Sequence, residues 1–149
     1  MASDTGASPR RKVADGMAEA AAAWLDVLGP GQRRTATGAV PADDATDVER
    51  RRWFQTPTDH GGLTFHEQRP AQQPAAMRLV ATGLSTPAYV TVATVMGLKN
   101  VLDHAEGFQV LFDRERGRDP RLYYLRVFGE PGGPGPALEA GASASTTSR

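Results

Sequence analysis

Residues 85–107 read STPAYVTVATVMGLKNVLDHAEG, and their pattern commits them to one structure. Ser85 is suited to cap a helix start, Pro87 fits the first turn, and Gly107 can take the left-handed conformation that ends a helix. Between them Ala88, Val92, Val95, Leu98, Leu102 and Ala105 recur at three- and four-residue steps, an apolar stripe along about five turns. Such a stripe is expected to bury against the rest of the fold, the strands that follow it included.

Working back from Ser85, Glu67 to Gly83 reads as a second helix whose firm part starts at Pro74, with Ala75, Leu79, Met77 and Val80 forming a broad apolar face. Asp59-His60-Gly61-Gly62-Leu63 reads as a turn, because paired glycines supply torsions that other residues resist. His60 and His66, with Asp59 and Glu67 beside them, are where a general base or a metal would be built most cheaply. Their spacing matches no ligand pattern, so no metal set is assigned. Before the turn, Arg50-Arg51-Arg52-Trp53-Phe54 runs basic residues into two aromatics. Arg52 and Trp53 could hold a carboxylate, a phosphate or a flat ring, against the plainer reading of a short strand that buries Trp53. Residues 32–48 are the least periodic, an acidic loop around Asp43, Asp44 and Asp47. From Val13, Met17, Ala21, Trp24, Leu25 and Leu28 share one helix face, stopped by Gly29-Pro30-Gly31, with Trp24 as its core anchor.

Working forward from Gly107 the period changes to two. Phe108 to Phe112 and Arg121 to Phe128 read as the arms of a hairpin around a charged turn. In the second arm Leu122, Tyr124 and Phe128 point one way and Tyr123, Leu125 and Val127 the other, so both faces want cover. The expected fold is therefore α+β: a cap of about three helices, then a hairpin belonging to a larger, antiparallel sheet. Residues 1–12 and 131–149 read as disordered tails by composition, leaving a partial domain at 13–130.

The chain has 149 residues, 40% of them hydrophobic, with 17 basic and 17 acidic side chains. That supports one domain of moderate core, and the neutral charge argues against nucleic acid as a partner. There is no cysteine, so chemistry falls to the other polar side chains. No apolar run approaches the roughly 20 residues of a membrane span. Arg10-Arg11 precede an alanine-rich stretch as in an export signal, but Asp15, Glu19 and Asp26 interrupt it, so a cytoplasmic location is expected.

Several features in order resemble the uncharacterised family known as domain of unknown function 3500, found in bacteria and fungi. They are the Trp24-Leu25 helix, Gln32-Arg33, Arg51-Arg52-Trp53 with Thr56-Pro57, Gly62-Leu63, Leu84-Ser85, Tyr89, Met96 to Leu102, Asp119-Pro120, Leu122-Tyr123-Tyr124 and Phe128-Gly129. Gly31, where members usually carry an acidic residue, and Pro74, inside the second helix, depart from the pattern. The resemblance implies a continuation with a tryptophan-rich segment and paired histidines, where this chain has PALEAGASASTTSR. It therefore implies a truncated or frame-shifted amino-terminal part.

No activity or cofactor follows from these readings. Two classes stay open: part of a metal-dependent or hydrolytic enzyme, with His60 and the Arg-Trp stretch in its pocket, or a non-catalytic binding module. Arg52, Trp53, His60, His66, Tyr123 and Tyr124 are the candidate ligand contacts, and the free edge of the last strand is the candidate self-association surface.

Overall fold

The computed structural model describes residues 8–40, 47–51, 61–108 and 118–133. Helix α1 (Pro9–Asp26) begins four residues before Val13. Pro9 occupies its first turn and the Ser8 hydroxyl accepts a hydrogen bond from the Arg11 N–H, so a polar, arginine-rich start is still a well-capped one. The segment after Gly29 is not an irregular loop. Pro30 opens α2 (Pro30–Ala36), and Gln32 reaches back to accept the Gly29 N–H at 3.0 Å, which satisfies a donor that a helix start leaves unpaired. The remaining elements are β1 (Thr37–Gly38), α3 (Val48–Arg51), β2 (Leu63–Thr64), α4 (Gln73–Thr82), α5 (Thr86–Ala105), β3 (Tyr124–Leu125) and β4 (Val127–Phe128). The protein is α+β, with most helices preceding the paired strands.

The core lies where α1 packs along α4. Trp24, Leu25, Ala20 and Ala21 from α1 meet Ala76 and Leu79 from α4, with Leu28, Ala36, Leu63 and Phe65 closing the ends. Trp24 and Leu25 are essentially inaccessible. Each such burial contributes about 2–3 kcal/mol before entropy is counted. The Trp24 indole N–H donates to Gln68 Oε1 at 3.0 Å, and Gln68 Nε2 donates in turn to the Thr64 carbonyl, so the anchor is buried with its polar atom satisfied. Gln72 and Gln32 exchange hydrogen bonds and tie the α1–α2 corner to the chain before α4: Gln72 Nε2 donates to the Val27 carbonyl at 2.7 Å and Gln32 Nε2 to the Glu67 carbonyl at 2.7 Å.

Among the described residues, 124–128 pair with segments far back in the chain. β3 pairs antiparallel with β2 in the register Leu63 opposite Leu125 and Thr64 opposite Tyr124, and β4 pairs parallel with β1, Thr37 opposite Val127. The ladder continues from β2 as the Phe65 and His66 N–H groups donate to the Tyr123 and Arg121 carbonyls. Among the described residues the strand thus makes one antiparallel and one parallel pair, with distant segments whose glycines accept it. Residues 109–117, the first arm and its turn, lie outside the described residues, as do 1–7 and 134–149 of the expected tails. Alternation along the strand holds: Tyr123, Leu125 and Val127 pack on the core.

Helix α5 has the expected boundaries, with the Ser85 hydroxyl accepting from the Ala88 N–H and Gly107 at φ +76°. Its stripe is not buried. Val95, Leu98 and Leu102 are exposed, and Asp103 is the only buried residue of the helix among the described residues. The reason is positional: α5 touches α4 over a short length and no described strand lies across its outer face. No described helix is long and apolar enough to cross a membrane.

Candidate functional site

Two glycines bring the chemistry-bearing residues together. Gly61 and Gly62 both have positive φ, +76° and +99°, and the strand passes so close that a Cβ on Gly62 would stand 2.8 Å from the Leu125 carbonyl oxygen. Only glycine allows that approach without strain. On one side of the resulting ladder the core is sealed. On the other, Thr35, Gly61, Gly62, Thr64, His66, Glu67, Leu122 and Tyr124 line a concavity of about 300 Å³.

His66 and Tyr124, both candidates from the sequence, share this concavity. The exposed His66 ring directs Nδ1 towards Asp119, whose Oδ2 is 4.0 Å away. Asp119 is buried and well held: its carboxylate accepts from the Arg121 backbone N–H at 2.9 Å and pairs with the Arg121 guanidinium at 3.2 Å. Glu67 is committed elsewhere, since its Oε2 accepts from the Thr64 N–H at 2.9 Å and the Thr64 hydroxyl at 2.7 Å, which stiffens the floor. Thr35, Tyr124 and His66 also line the concavity, the Thr35 hydroxyl donating to the Gly31 carbonyl at 3.3 Å.

Tyr123 does not join them. It faces the opposite side of the strand and packs on the core, where burial pushes its phenol above the ordinary value. Arg52, Trp53 and His60 lie outside the described residues. Of the basic stretch, Arg50 and Arg51 pair with Asp47, whose carboxyl the Arg50 guanidinium holds below its usual range, while Glu49 pairs with Arg126. Arg126 in turn lies over the Phe128 ring, 5.1 Å from its centroid, and against Gly61. No three His, Asp or Glu side chains converge as a metal site among the described residues.

Thr35 and Asp119 are the site residues that the sequence does not announce. Asp119 is 53 positions from His66, and its Asp-Pro pair reads as a turn; Thr35 sits in the segment that reads as a loop. The order and spacing of Trp24-Leu25, Gly62-Leu63, Asp119-Pro120 and Leu122-Tyr123-Tyr124 now have a structural meaning, because they form the anchor, the close approach and the ladder in turn. Residues 10–136 match the model of the family described as a protein of unknown function, DUF3500. The chain belongs to the DUF3500 family. No curated protein and no solved structure matches it. In this DUF3500 member the family-like residues therefore divide into a framework set, Asp119 among them, and the three that line the concavity, Gly62, Leu122 and Tyr124.

Proposed function

We propose that the chain is a ligand-binding module for a small polar molecule, and that the concavity beside β2 and β3 is its site. The observation that carries this reading is the convergence of His66, Tyr124, Thr35 and Thr64 around about 300 Å³. That volume suits a ligand of sugar or hydroxy-acid size. Hydroxyl and imidazole groups would bind its oxygens. The chain's zero net charge supports a small ligand over nucleic acid. A cytoplasmic setting draws support from α1, since the segment after Arg10-Arg11 places Trp24 in the core.

A second reading keeps the same site in a metal-dependent or hydrolytic enzyme, with His66 as the base and the remaining groups supplied by a longer family domain. It draws support from the two ladders, which among the described residues have two strands each, fewer than a self-standing sheet usually has. Reading the coding DNA past the stop codon tests the longer domain, and absence of tryptophan-rich and paired-histidine segments in every frame counts against it. The binding reading is tested by amide NMR of the full chain titrated with small hydroxycarboxylates and monosaccharides. Shifts confined to residues 35, 64, 66 and 124 and lost in Tyr124→Phe and His66→Ala are expected. Saturable shifts centred elsewhere would overturn it.

A further inference from the structure

We propose that the outer face of α5 is a self-association surface, and that its partner is a second copy of this chain paired antiparallel across a two-fold axis. The surface is separate from the polar concavity and replaces the strand edge as the place where copies meet. Val90, Val95, Leu98, Val101 and Leu102, with Phe108 beyond the helix end, are each 39% to 61% exposed. At 100° per residue the charged residues of the helix, Lys99 and Asp103, fall at the margin of this face and behind it. A helix without charge over half its circumference is built to be covered.

The spacing points to a helix as the cover. Thr91, Thr94, Leu98, Val101 and Ala105 follow steps of three, four, three and four, the seam of a left-handed helix pair. Threonine is compatible with such a seam because its hydroxyl can be satisfied within its own helix, as the Thr91 hydroxyl is by donating to the Pro87 carbonyl at 3.0 Å. The order points to the same helix. Leu98 and Val101, both aliphatic, are flanked at equal steps by Thr94 and Ala105, which carry less apolar surface, so the centre of the seam reads alike in either direction. A two-fold contact requires that symmetry, since residue i meets j while j meets i. Pairing Leu98 with Val101 and Thr94 with Ala105 also sets Leu102 beside Val95 and Leu102 of the second copy, since a two-fold axis keeps each flank of the helix on its own side. On that flank Val95, Leu98, Lys99, Val101, Leu102 and Ala105 border a hollow of about 440 Å³.

Six large side chains about half exposed amount to roughly 500 Å² per copy, the upper range for a patch on a monomer. Two copies bury about 1,000 Å², the lower bound of a specific interface. A reversible dimer in the micromolar range is the expected strength. The uncharged seam puts no like charges opposite each other, which removes the usual obstacle to pairing identical surfaces.

Light scattering of the full chain across a concentration series tests this. The mass is expected to rise from 15.9 kDa towards twice that value through the micromolar range. Leu98→Glu, at a position exposed in the free chain, places two carboxylates close to the axis and is expected to weaken the dimer by about tenfold or more with unchanged circular dichroism. In this cysteine-free chain Leu98→Cys, near the axis, is expected to cross-link readily on mild oxidation, and Val90→Cys, far from its counterpart, to do so poorly. A wild-type chain that stays at 15.9 kDa overturns the proposal, and so does a Leu98→Glu dimer as tight as wild type, the result expected of strand-edge pairing. Faster cross-linking through Val90→Cys than through Leu98→Cys overturns the antiparallel order.

Discussion

Trp24 shows how one residue can join three segments. Its ring fills the α1–α4 interface, and its single donor reaches Gln68, which carries the bond on to Thr64 at the edge of the concavity. Trp24→Phe would leave Gln68 Oε1 buried without its donor and shrink the anchor. A loss of about 2–4 kcal/mol in urea unfolding is expected; a change under about 0.5 kcal/mol would mean the indole is not structural. Tyr123 makes a second residue-scale test. Burial raises its phenol, so the folded chain prefers the protonated form. Its contribution to stability is complete below the ordinary phenol range and is lost as pH rises through the higher folded value. Tyr123 is therefore expected to ionise late in an alkaline absorbance titration, and Tyr123→Phe to remove that late component. Persistence of the late phase in the variant would assign it elsewhere.

At the scale of elements, helix ends are legible in the sequence and strand partners are not. Ser85, Pro87 and Gly107 act within a few residues of themselves, so the limits of α5 follow from local torsions and local hydrogen bonds. The α2 helix is hidden because Gly29-Pro30-Gly31 reads equally as a stop and as a start, and the Gln32 side chain that decides for a start makes a bond no periodicity announces. The partners of 124–128 depend on which distant backbones can approach. Gly62 is the local sign of that approach. Gly62→Ala forces both an unfavourable positive φ and a contact with the Leu125 carbonyl, and is expected to destabilise the chain by about 2 kcal/mol or more, with NMR shifts spreading along β2 and β3. A neutral Gly62→Ala, measured by chemical denaturation, would show that the ladder can part there at no cost.

At the scale of the whole molecule, packing is uneven. The α1–α4 pair encloses the core, whereas α5 shares only a short contact with α4 and leaves its outer face open. Native-state hydrogen exchange is expected to find the slowest amides in α1 and α4 and faster ones in α5, with α5 slowing as concentration rises in wild type but not in Leu98→Glu. Equal protection of α5 and α1 in the monomeric variant would contradict this picture of a loosely held helix.

Composition, caps and apolar period by themselves determined the α+β class, the Trp24 anchor, the spans of α4 and α5 and the alternation along 121–128, because each depends on interactions a few residues long. The family resemblance came from the same residues in their order. Only the tertiary structure decided that 124–128 pairs with Leu63–Thr64 and Thr37–Gly38, and that Asp119 stands beside His66. It also decided that the stripe of α5 faces outward. These are relations between positions tens of residues apart, and they are set by which surfaces the core consumes first. The α5 stripe states only that a helix needs a partner; the packing of α1 on α4 determines that the partner is not the core.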